Sequence, residues 1–528
     1  MHDIGAAEQA LSGAPATWET QNQMSATNSA DPVLTANIGT GSFADRPGED
    51  AASSPAPYFA TPIPDALRQR RVLLLSYHCP PSPTAGALRW QKFAGLIAEQ
   101  GWGVDIIGLD PAQLKRAEPE RFNDLPAGTR IFGVREDRLL VEKVEHQAWR
   151  LVKRLRDMRR PRSEAPTGVA ARKSVPVSPT ITTDQMEWGV WHPDGWRRAY
   201  YAWSSFAHGR AWARQAAALA RAVADPQIHQ VVISCGPPHL AHEGGRLVAE
   251  ATGLPLILDM RDPWTLQHRF QEHEASPLQF RLAARAERRI VERASLVVMN
   301  TPPAAEMMAA SYPGKRIIWI LNGYDEDPLP PIPARTRFLI AYAGSIYLDR
   351  DPRLVFRAAS RVVRELGLTP EQFGFEFIGD ASSSGGRTSV GELAAEEGLS
   401  GFVRTGGERP RAEAMAFLAG ASVLLSLPQD ATYAIPSKVY EYMRFPAWVL
   451  ALTESGSATD RILAGTGTDV LRPDDVDEMT AVLRRRYLAF ASGERPTAIA
   501  RDPRLSRRYQ AERLLEALTV VTREHRTA

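Results

Sequence analysis

Short apolar runs alternate with helix-length segments along most of the chain. Residues 71–76 form such a run, and a proline-rich loop, a helical pattern that ends at Gly101 and a second apolar run at 104–108 follow it. Continuous apolar strands are typical of sheets that are covered on both faces. Because strand, helix and strand at this spacing form a parallel βαβ unit, the pattern predicts an α/β fold.

The predicted strands fall into two sets, separated by the proline-rich segment 327–333. Alternation of strands and helices in each set predicts two Rossmann-like, doubly wound sheets. Such sheets bind ligands beyond the carboxyl ends of their strands, so two facing sheets would place a site in the cleft between the domains. The predicted strands are residues 71–76, 104–108, 231–234, 256–258, 296–299 and 317–321, then 338–343, 375–378, 402–404, 423–426, 449–452 and 470–471.

Domain boundaries follow from where this pattern starts and stops. Residues 1–66 are rich in Ala, Ser, Thr and Pro, have Arg46 as their one Lys or Arg, and show no apolar period. Such a segment cannot bury enough surface to offset its ordering entropy, so we expect a disordered tail. Residues 67–330 are predicted to form the first domain, with a basic insertion at about 110–200, and residues 331–490 the second. The remaining residues, 491–528, contain an amphipathic helix.

The insertion carries a dense basic run at residues 150–162, within which Leu151, Val152, Leu155 and Met158 recur at helical spacing. A basic amphipathic helix can lie on an anionic membrane surface, which makes such a surface a candidate partner. A solvated helical insertion, or a basic loop, is the alternative interpretation.

Composition and charge exclude several classes of protein. The 528 residues include 63 Lys and Arg against 61 Asp and Glu, a net charge of +2. A dedicated nucleic-acid binder has a larger basic excess, so we expect no nucleic-acid partner. Two cysteines cannot form a disulfide framework, and no apolar run reaches the roughly 18 residues that cross a bilayer. Since the N-terminus also lacks a secretory pattern, we expect a cytoplasmic protein, peripheral on the inner membrane face if the basic run binds there.

The loops lack the fingerprints of common cofactors. The loop after the first strand has one glycine, Gly86, and no GxGxxG, which disfavours nicotinamide and flavin cofactors. There is no GxxxxGK[ST], and the histidines are scattered without metal-ligand spacing. The acidic pair Asp325 and Asp327 is interpreted as a turn, and Asp475 and Asp477 as the first turn of a helix. We therefore expect neither a cofactor nor a metal.

One segment of the second domain combines groups that can bind a nucleotide. Pro436 and Ser437 suit the start of a helix, with Lys438 and Glu441 within its first turns. Free N–H groups at a helix start can hold phosphate oxygens, a lysine adds a positive charge, and a carboxylate can accept hydrogen bonds from two ribose hydroxyls. The alternative is a Lys438–Glu441 surface ion pair on an ordinary amphipathic helix.

Several separated segments resemble, in the same order, those of family 4 (group 1) glycosyltransferases of the GT-B fold. The resemblance covers roughly residues 70–520 without the basic insertion. Its segments are 75–81 (LSYHCPP), 85–89 (AGALR), 234–239 (SCGPPH), 259–264 (DMRDPW), 321–325 (LNGYD), 342–345 (YAGS), 350–352 (RDP), 377–380 (FIGD) and 435–442 (IPSKVYEY).

The resemblance implies a metal-independent enzyme that moves a sugar from a nucleotide-sugar donor to an acceptor and retains the anomeric configuration. The expected acceptor is a glycan or a lipid-linked glycan in polysaccharide or glycolipid assembly. The second domain would bind the donor, which is a substrate and not a cofactor, and the first would bind the acceptor. A terminal helix within 491–528 would return to the first domain.

The resemblance also assigns donor-binding residues. Glu441 matches the second of two glutamates that are separated by seven residues, the one that contacts the ribose. Tyr433 stands at the position of the first glutamate and is not acidic, which leaves the contact to the sugar unassigned. Arg350 and Lys438 are the candidates for the donor diphosphate, beside Gly344 and Ser345 at the end of a strand.

Further candidates lie in the first domain. Gly86 would let backbone N–H groups approach the same phosphates, although a plain turn would also need a glycine. Arg261 and Asp262 follow a strand at which the family places an acceptor-side polar residue; alternatively, Arg261 pairs with Asp259 and Asp262 to fix the loop. His239 either faces the cleft or is structural.

Two other functions remain open. A nucleotide-sugar epimerase shares the two-domain fold, but it needs an acid/base pair at the sugar ring, and no clear pair is present. A non-catalytic sugar-nucleotide-binding protein is the second alternative, because Tyr433 replaces the first glutamate and no basic residue adjoins Gly344 in the sequence.

Overall fold

The computed structural model describes residues 55–137, 180–182, 195–266, 269–271, 276–344, 346, 350–379, 389–427, 432–500 and 502–527. The chain divides at Pro55, and its second unit, Ala56–Ala528, contains every element described below. Residues 1–54 of the predicted tail, the basic run at 150–162 and Ser345 lie outside the described residues.

An eight-stranded sheet forms the centre of the first domain. The strands of this domain are β1 (Phe59–Ala60), β2 (Arg71–Ser76), β3 (Gly103–Leu109), β4 (Thr129–Val134), β5 (Thr180–Thr182), β6 (His229–Cys235), β7 (Leu256–Arg261), β8 (Arg269–Gln271), β9 (Leu296–Met299) and β10 (Ile317–Trp319). The sheet order is β1-β4-β3-β2-β6-β7-β9-β10, while β5 and β8 pair separately. Only β1 is antiparallel to its neighbour in the large sheet.

Helices cover both faces of this sheet, which explains its continuous apolar strands. Along β2, Leu73 and Leu75 pack on one face and Val72 and Leu74 on the other, and all four are fully buried. Burying each such side chain contributes about 1.5–3 kcal/mol. The helices of the first domain are α1 (Ala85–Ala98), α2 (Gly195–Val223), α3 (Ala241–Thr252), α4 (Pro277–Arg293) and α5 (Pro302–Ser311).

A six-stranded parallel sheet forms the second domain, in the order β13-β12-β11-β14-β15-β16. Its strands are β11 (Phe338–Ala343), β12 (Phe373–Ile378), β13 (Val403–Gly406), β14 (Val423–Ser426), β15 (Trp448–Leu452) and β16 (Asp469–Leu471). Its helices are α6 (Arg353–Leu366), α7 (Val390–Glu396), α8 (Arg411–Ala419), α9 (Ser437–Tyr442), α10 (Ala458–Leu463) and α11 (Val476–Ala491). The prediction of two parallel α/β sheets is confirmed.

Each sheet reverses its strand order once. The first sheet grows from β2 through β3 to β4 on one side and from β6 to β10 on the other, and the second reverses between β11 and β14. At such a point the loops leave the carboxyl ends of neighbouring strands in opposite directions and open a crevice. The topology therefore predicts ligand sites at the loops after β2, β6, β11 and β14.

Two boundaries differ from the sequence prediction. Phe59–Ala60 lies inside the predicted tail, yet it pairs with β4 through main-chain hydrogen bonds, and the aromatic ring of Phe59 stacks on Phe122. Strand β4 itself lies inside the predicted insertion at 110–200, and it pairs with β3 along its whole length. Both segments belong to the first sheet because backbone pairing, which leaves a weak sequence pattern, adds them at its edge.

The C-terminal helix α12 (Arg507–Thr527) packs against the first domain. Its side chains Ala511, Leu514, Leu518 and Val521 join the cluster that includes Trp90 of α1. The chain thus crosses back after completing the second sheet. In the part of the chain that the structure describes, no helix combines the length and apolar character required to span a membrane.

Candidate active site

Lys438, at the crevice of the second sheet, is a buried cation without a hydrogen-bond acceptor. Its Nζ lies 3.6 Å from the centre of the Tyr342 ring, and a Cβ on Gly344 would lie 3.0 Å from it. Gly344 has φ +128°, a conformation that other residues rarely adopt, so glycine is required where the chain leaves β11. No described residue accepts a hydrogen bond from the ammonium group.

The electrostatic surroundings disfavour the charge of Lys438. Burial lowers the pKa of its amine well below 10.5, and the positive charge of Arg350 lowers it further, while Glu441 opposes the shift. Arg350 is itself 8% exposed. The two buried cations lie near enough to repel each other, and an anion beside Lys438 would relieve the cost of burying its charge.

The helix after β14 is short and begins where the sequence pattern predicts. Helix α9 has six residues, with Ser437 as its first residue and Pro436 as its N-cap, and no side chain caps its start. Since the dipole of a helix grows with its aligned peptide groups, Lys438 carries more of the local positive charge than the helix start does.

Glu441 does not form the surface ion pair with Lys438 that was one alternative. Its Oε1 accepts a hydrogen bond of 2.6 Å from Arg411 Nη1, on the neighbouring helix α8. Its side chain is 25% exposed. The carboxylate is thus partly buried and held by an arginine that is distant in sequence.

Tyr433, at the position of the missing glutamate, contacts the first domain. Its main-chain carbonyl accepts a hydrogen bond of 2.5 Å from Thr301 Oγ1, and its side chain packs against the core of the first sheet. Thr301 is also the N-cap of α5, where the same hydroxyl accepts from Ala304 N. In this chain, the position therefore serves as a contact between the two domains.

Arg261 does not pair with the aspartates beside it, which overturns one alternative. Asp259 instead accepts two hydrogen bonds of 3.0 Å from Arg89, and Asp262 accepts one of 3.1 Å from the Asn300 amide. Arg261 has φ +56°, an uncommon conformation for a non-glycine residue that is often found at functional sites.

The structure brings Arg261 and Gly86 together at the crevice of the first sheet. A Cβ on Gly86 would lie 2.7 Å from Arg261 Nη1 and 3.4 Å from His78 Cβ, so the guanidinium lies against the start of α1. A larger residue at position 86 would displace the guanidinium, which is the flexible end of the Arg261 side chain.

Histidines surround Arg261. Burial lowers the pKa of His78 to about 4, with a further lowering by the charge of Arg261, and the pKa of His242 is likewise lowered to about 4, mainly by burial. His239 stacks on Trp264 with ring centres 5.3 Å apart, and its Nδ1 is buried without a partner among the described residues. The imidazoles are therefore neutral at pH 7, and the carboxylates beside Arg261 in the sequence, Asp259 and Asp262, hydrogen-bond to other residues.

The predicted residues thus form two groups. Lys438, Gly344, Arg350 and Glu441 lie at the second sheet, and Gly86, Arg261 and Asp262 at the first. Sequence reasoning missed Arg411, which lies 30 positions from Glu441 along the chain, so no local spacing connects the two. It also missed the Arg89–Asp259 pair, although both residues belong to the segments that carry the family resemblance.

In the acidic turn after β10, the Asp325 carboxylate contacts two arginines. Asp325 lies 3.4 Å from Arg411 and 3.3 Å from Arg507, and its side chain is 5% exposed. Among the residues that the structure describes, no group of three or more His, Cys, Asp or Glu side chains is arranged to hold a metal ion.

Comparison with known proteins gives likeness in structure but not in sequence. No family model matches the chain, and a search of curated proteins found no relative. A glycosyltransferase from Rickettsia africae aligns with a TM-score of 0.53 and 11% identity, over 86% of this chain and 98% of that one.

Two further structures are similar over nearly their whole length. Anabaena HepE, in complex with UDP and glucose, aligns with a TM-score of 0.50 and 13% identity, over 85% of this chain and 99% of its own. A mutant of S. aureus TarM, in complex with fondaparinux, alpha-GlcNAc-glycerol and UDP, gives 0.51 and 9%, over 86% and 99%. With its two parallel, doubly wound sheets, the chain has the GT-B fold of glycosyltransferases.

Proposed function

We propose that the protein is a glycosyltransferase that moves a sugar from a nucleotide-sugar donor to a glycan or lipid-linked acceptor. The observation that carries the proposal is the buried, unpartnered ammonium of Lys438 over Gly344, at the crevice of the second sheet. A buried cation without a partner is costly, and a bound diphosphate would supply the missing negative charge.

The donor would lie with its diphosphate at Lys438 and Arg350 and its ribose at Glu441. As the bond between the sugar and the diphosphate breaks, negative charge grows on the leaving group. Fixed cations that face this charge stabilise the transition state without reorganising, which is the task that a metal ion performs in other transferases. A metal-independent reaction is therefore part of the proposal, and retention of configuration follows from the family resemblance.

The acceptor would lie at the first sheet, beside Asp262 and beside Arg261, whose guanidinium lies against the start of α1. One oxygen of Asp262 accepts from Asn300, which fixes the carboxylate and leaves its other oxygen to accept from an acceptor hydroxyl. Arg261 would orient a polar group of the acceptor. Closure of the two domains over both substrates would exclude water from the activated sugar.

Thermal denaturation with UDP, GDP and ADP provides the first test, because a ligand that binds the native state raises the melting temperature. UDP is the first choice, since the Anabaena and S. aureus neighbours were both seen with it. We expect one nucleotide to raise the melting temperature at millimolar concentration, and no shift with any of the three would contradict the proposal.

Glu441→Ala tests the site itself. Loss of hydrogen bonds from a ribose to a carboxylate should raise the KM for the donor about tenfold or more, since such bonds contribute about 1.5–3 kcal/mol. Glu376→Ala is a matched control, because Glu376 is 24% exposed and also pairs with an arginine, Arg409. Equal donor KM in the two variants would overturn the assignment of Glu441.

Incubation with the donor alone separates the two enzyme classes. An epimerase converts the sugar of the donor without any acceptor, whereas a transferase only hydrolyses the donor slowly. Product analysis by NMR distinguishes the isomerised donor from free sugar. Accumulation of an isomerised nucleotide-sugar would replace the proposed function with epimerisation.

A further inference from the structure

A chain of ion pairs leads from Glu441 into the segment that links the two domains. Arg411 donates from Nη1 to Glu441 at 2.6 Å, and its Nη2 lies 3.4 Å from Asp325 Oδ2. The other oxygen of Asp325 lies 3.3 Å from Arg507 Nη1. The four residues come from α9, α8, the segment after β10 and α12, so the network joins elements of both domains.

The far end of this network is rigidly built. Arg507 is 8% exposed, and it donates to the main-chain carbonyls of Asn322 at 3.1 Å and Gly323 at 3.3 Å. Gly323 has φ +67°, and a Cβ there would lie 2.8 Å from the backbone of Arg507. The turn that carries Asp325 is therefore packed directly on the start of α12 and cannot shift without moving that helix.

We propose that Arg411 is a positioning residue that holds the Glu441 carboxylate in place for the ribose of the donor. This inference rests on the proposed function, in which Glu441 binds that ribose. An ionised carboxylate has about four acceptor positions on its two oxygens. Arg411 occupies one of them on Oε1, so the carboxylate is oriented while positions for two ribose hydroxyls remain.

A comparison within the same domain separates this pair from an ordinary surface ion pair. Arg409 lies two residues before Arg411 and reaches Glu376 at 3.5 Å, and the two ion pairs are exposed to the same extent, with 35% and 24% for Arg409 and Glu376 against 39% and 25% for Arg411 and Glu441. Arg411 lies closer to its glutamate and also contacts Asp325, which is 5% exposed. Burial opposes the charge of Arg411, yet Glu441 and Asp325 outweigh it, so the pKa of the guanidinium is raised. Arg411 therefore has two carboxylate partners, whereas the second contact of Arg409 is the Phe417 ring.

Arg411 also links binding of the nucleoside to the position of the segment between the two sheets. Asp325 belongs to the segment between the sheets, where Lys92 of α1 pairs with Asp327 at 2.7 Å and Arg444 donates to the Asp327 carbonyl. A movement of the second domain away from this segment would pull Arg411 from Asp325 or from Glu441. The ribose contact is therefore expected to be strongest when this segment keeps its observed position beside Arg411.

The experiment measures how strongly the full-length protein distinguishes a ribose from a deoxyribose. The dissociation constant is measured by calorimetry for UDP and for 2′-deoxy-UDP, or for the GDP or ADP pair if that nucleotide raises the melting temperature most. In the wild type, loss of one hydroxyl should weaken binding about tenfold, as expected for one hydrogen bond to a charged group. In Arg411→Gln, the ratio of the dissociation constants for 2′-deoxy-UDP and UDP should fall to about two, because a mobile carboxylate loses its selectivity.

Conservative replacement and a control complete the design. Arg411→Lys keeps a cation beside Glu441 and should restore most of the ratio, while Asp325→Asn should lower it part of the way. Arg409→Gln removes a matched arginine whose partner is Glu376, and it should leave the ratio unchanged. In steady-state kinetics, Arg411→Gln should raise the KM for the donor with little change in kcat, since uniform binding is lost.

The outcomes distinguish this inference from the proposed function. If Glu441→Ala abolishes the ribose selectivity and Arg411→Gln preserves it, Arg411 is not a positioning residue, although the donor site stands. If Arg411→Gln weakens UDP and 2′-deoxy-UDP equally, its role is structural and the inference is wrong. If the wild type binds none of the nucleotides, the proposed function fails and the inference fails with it.

Discussion

Two buried charges, Asp105 in the first sheet and Lys438 at the second, have opposite surroundings. Asp105, in the middle of β3, accepts hydrogen bonds from Arg71 at 2.5 Å and from Arg130 at 2.6 Å, and it contacts His229 at 2.9 Å. Burial opposes its ionisation, but these partners outweigh burial, and the pKa of Asp105 is lowered. The charge of Asp105 is therefore compensated within the protein.

Lys438 lies over the Tyr342 ring and near the charges of Arg350 and Glu441, and no described residue accepts a hydrogen bond from it. The difference follows the position of each group in its sheet. Arg71 and His229 begin β2 and β6, so the Asp105 cluster lies towards the amino ends of the strands, away from the crevice. Compensated charges are typical of a scaffold, whereas a buried ammonium without a hydrogen-bond acceptor is typical of a binding site.

Asp105→Asn should have the largest effect on stability. The substitution leaves Arg71, which is 1% exposed, without a matching charge, and breaking a buried ion pair from one side costs about 3–5 kcal/mol. Urea denaturation would show this loss as a lower midpoint. As a control, Asp474→Asn removes one partner of an exposed pair with Arg472 and should leave the midpoint unchanged. Equal midpoints for Asp105→Asn and the wild type would remove the contrast between the two sites.

Lys438→Met should affect the ligand more than the fold. Removing an unpaired buried charge should leave the melting temperature of the free protein unchanged or raise it, since methionine fills the space without that cost. Binding of UDP should weaken about tenfold to a hundredfold, because a charge-assisted contact to the diphosphate is lost. Calorimetry measures the affinity, and Lys315→Met serves as a control for the loss of one positive charge. A large drop in melting temperature with unchanged UDP affinity would make Lys438 structural, like Asp105.

The pH dependence of stability should reveal the same contrast with a smaller effect. Because folding lowers the pKa of Lys438, the unfolded chain binds the proton more readily, and the free energy of unfolding rises with pH up to the usual value of 10.5. Where the amine is charged in both states, the free energy of unfolding is lower by about 1.4 kcal/mol for each unit by which folding lowers the pKa. The melting temperature of the wild type relative to Lys438→Met should therefore rise between about pH 7 and about pH 10.

Saturating UDP provides the control for this titration. A bound diphosphate favours the charged amine, so the pH dependence that Lys438 contributes should shrink or reverse in its presence. A difference between wild type and Lys438→Met that stays constant with pH, with and without UDP, would show that Lys438 titrates alike in the folded and unfolded chain.

Much of the architecture could be predicted because its signals are local. The apolar run at β2 is continuous since its alternate residues enter cores on both faces. The strands β11 and β14 of the second sheet repeat this pattern. The edge strand at Phe59–Ala60 gave no such signal, because two residues paired through the backbone leave no period. Strand β4 was not predicted because the basic run at 150–162 led to the assignment of all residues from about 110 to 200 to one insertion.

The candidate site was predictable only in part. Lys438, Glu441 and Arg261 were found from their place after strands and from a family resemblance, but their partners were not. The Lys438–Glu441 pair was a reasonable alternative by spacing, and so was an Arg261 pair with Asp259 or Asp262. In the structure, Arg411 forms an ion pair with Glu441, and Arg89 forms one with Asp259.

The sequence by itself determined that two parallel sheets form, which loops follow their strands and which charged residues those loops carry. Apolar periodicity acts over a few residues, so it can be recognised without knowledge of the fold. Only the tertiary structure decided which charges meet, because an ion pair depends on separation in space. That choice joined Arg411 to Glu441 across 30 positions and left the ammonium of Lys438 above Gly344 without an acceptor among the described residues.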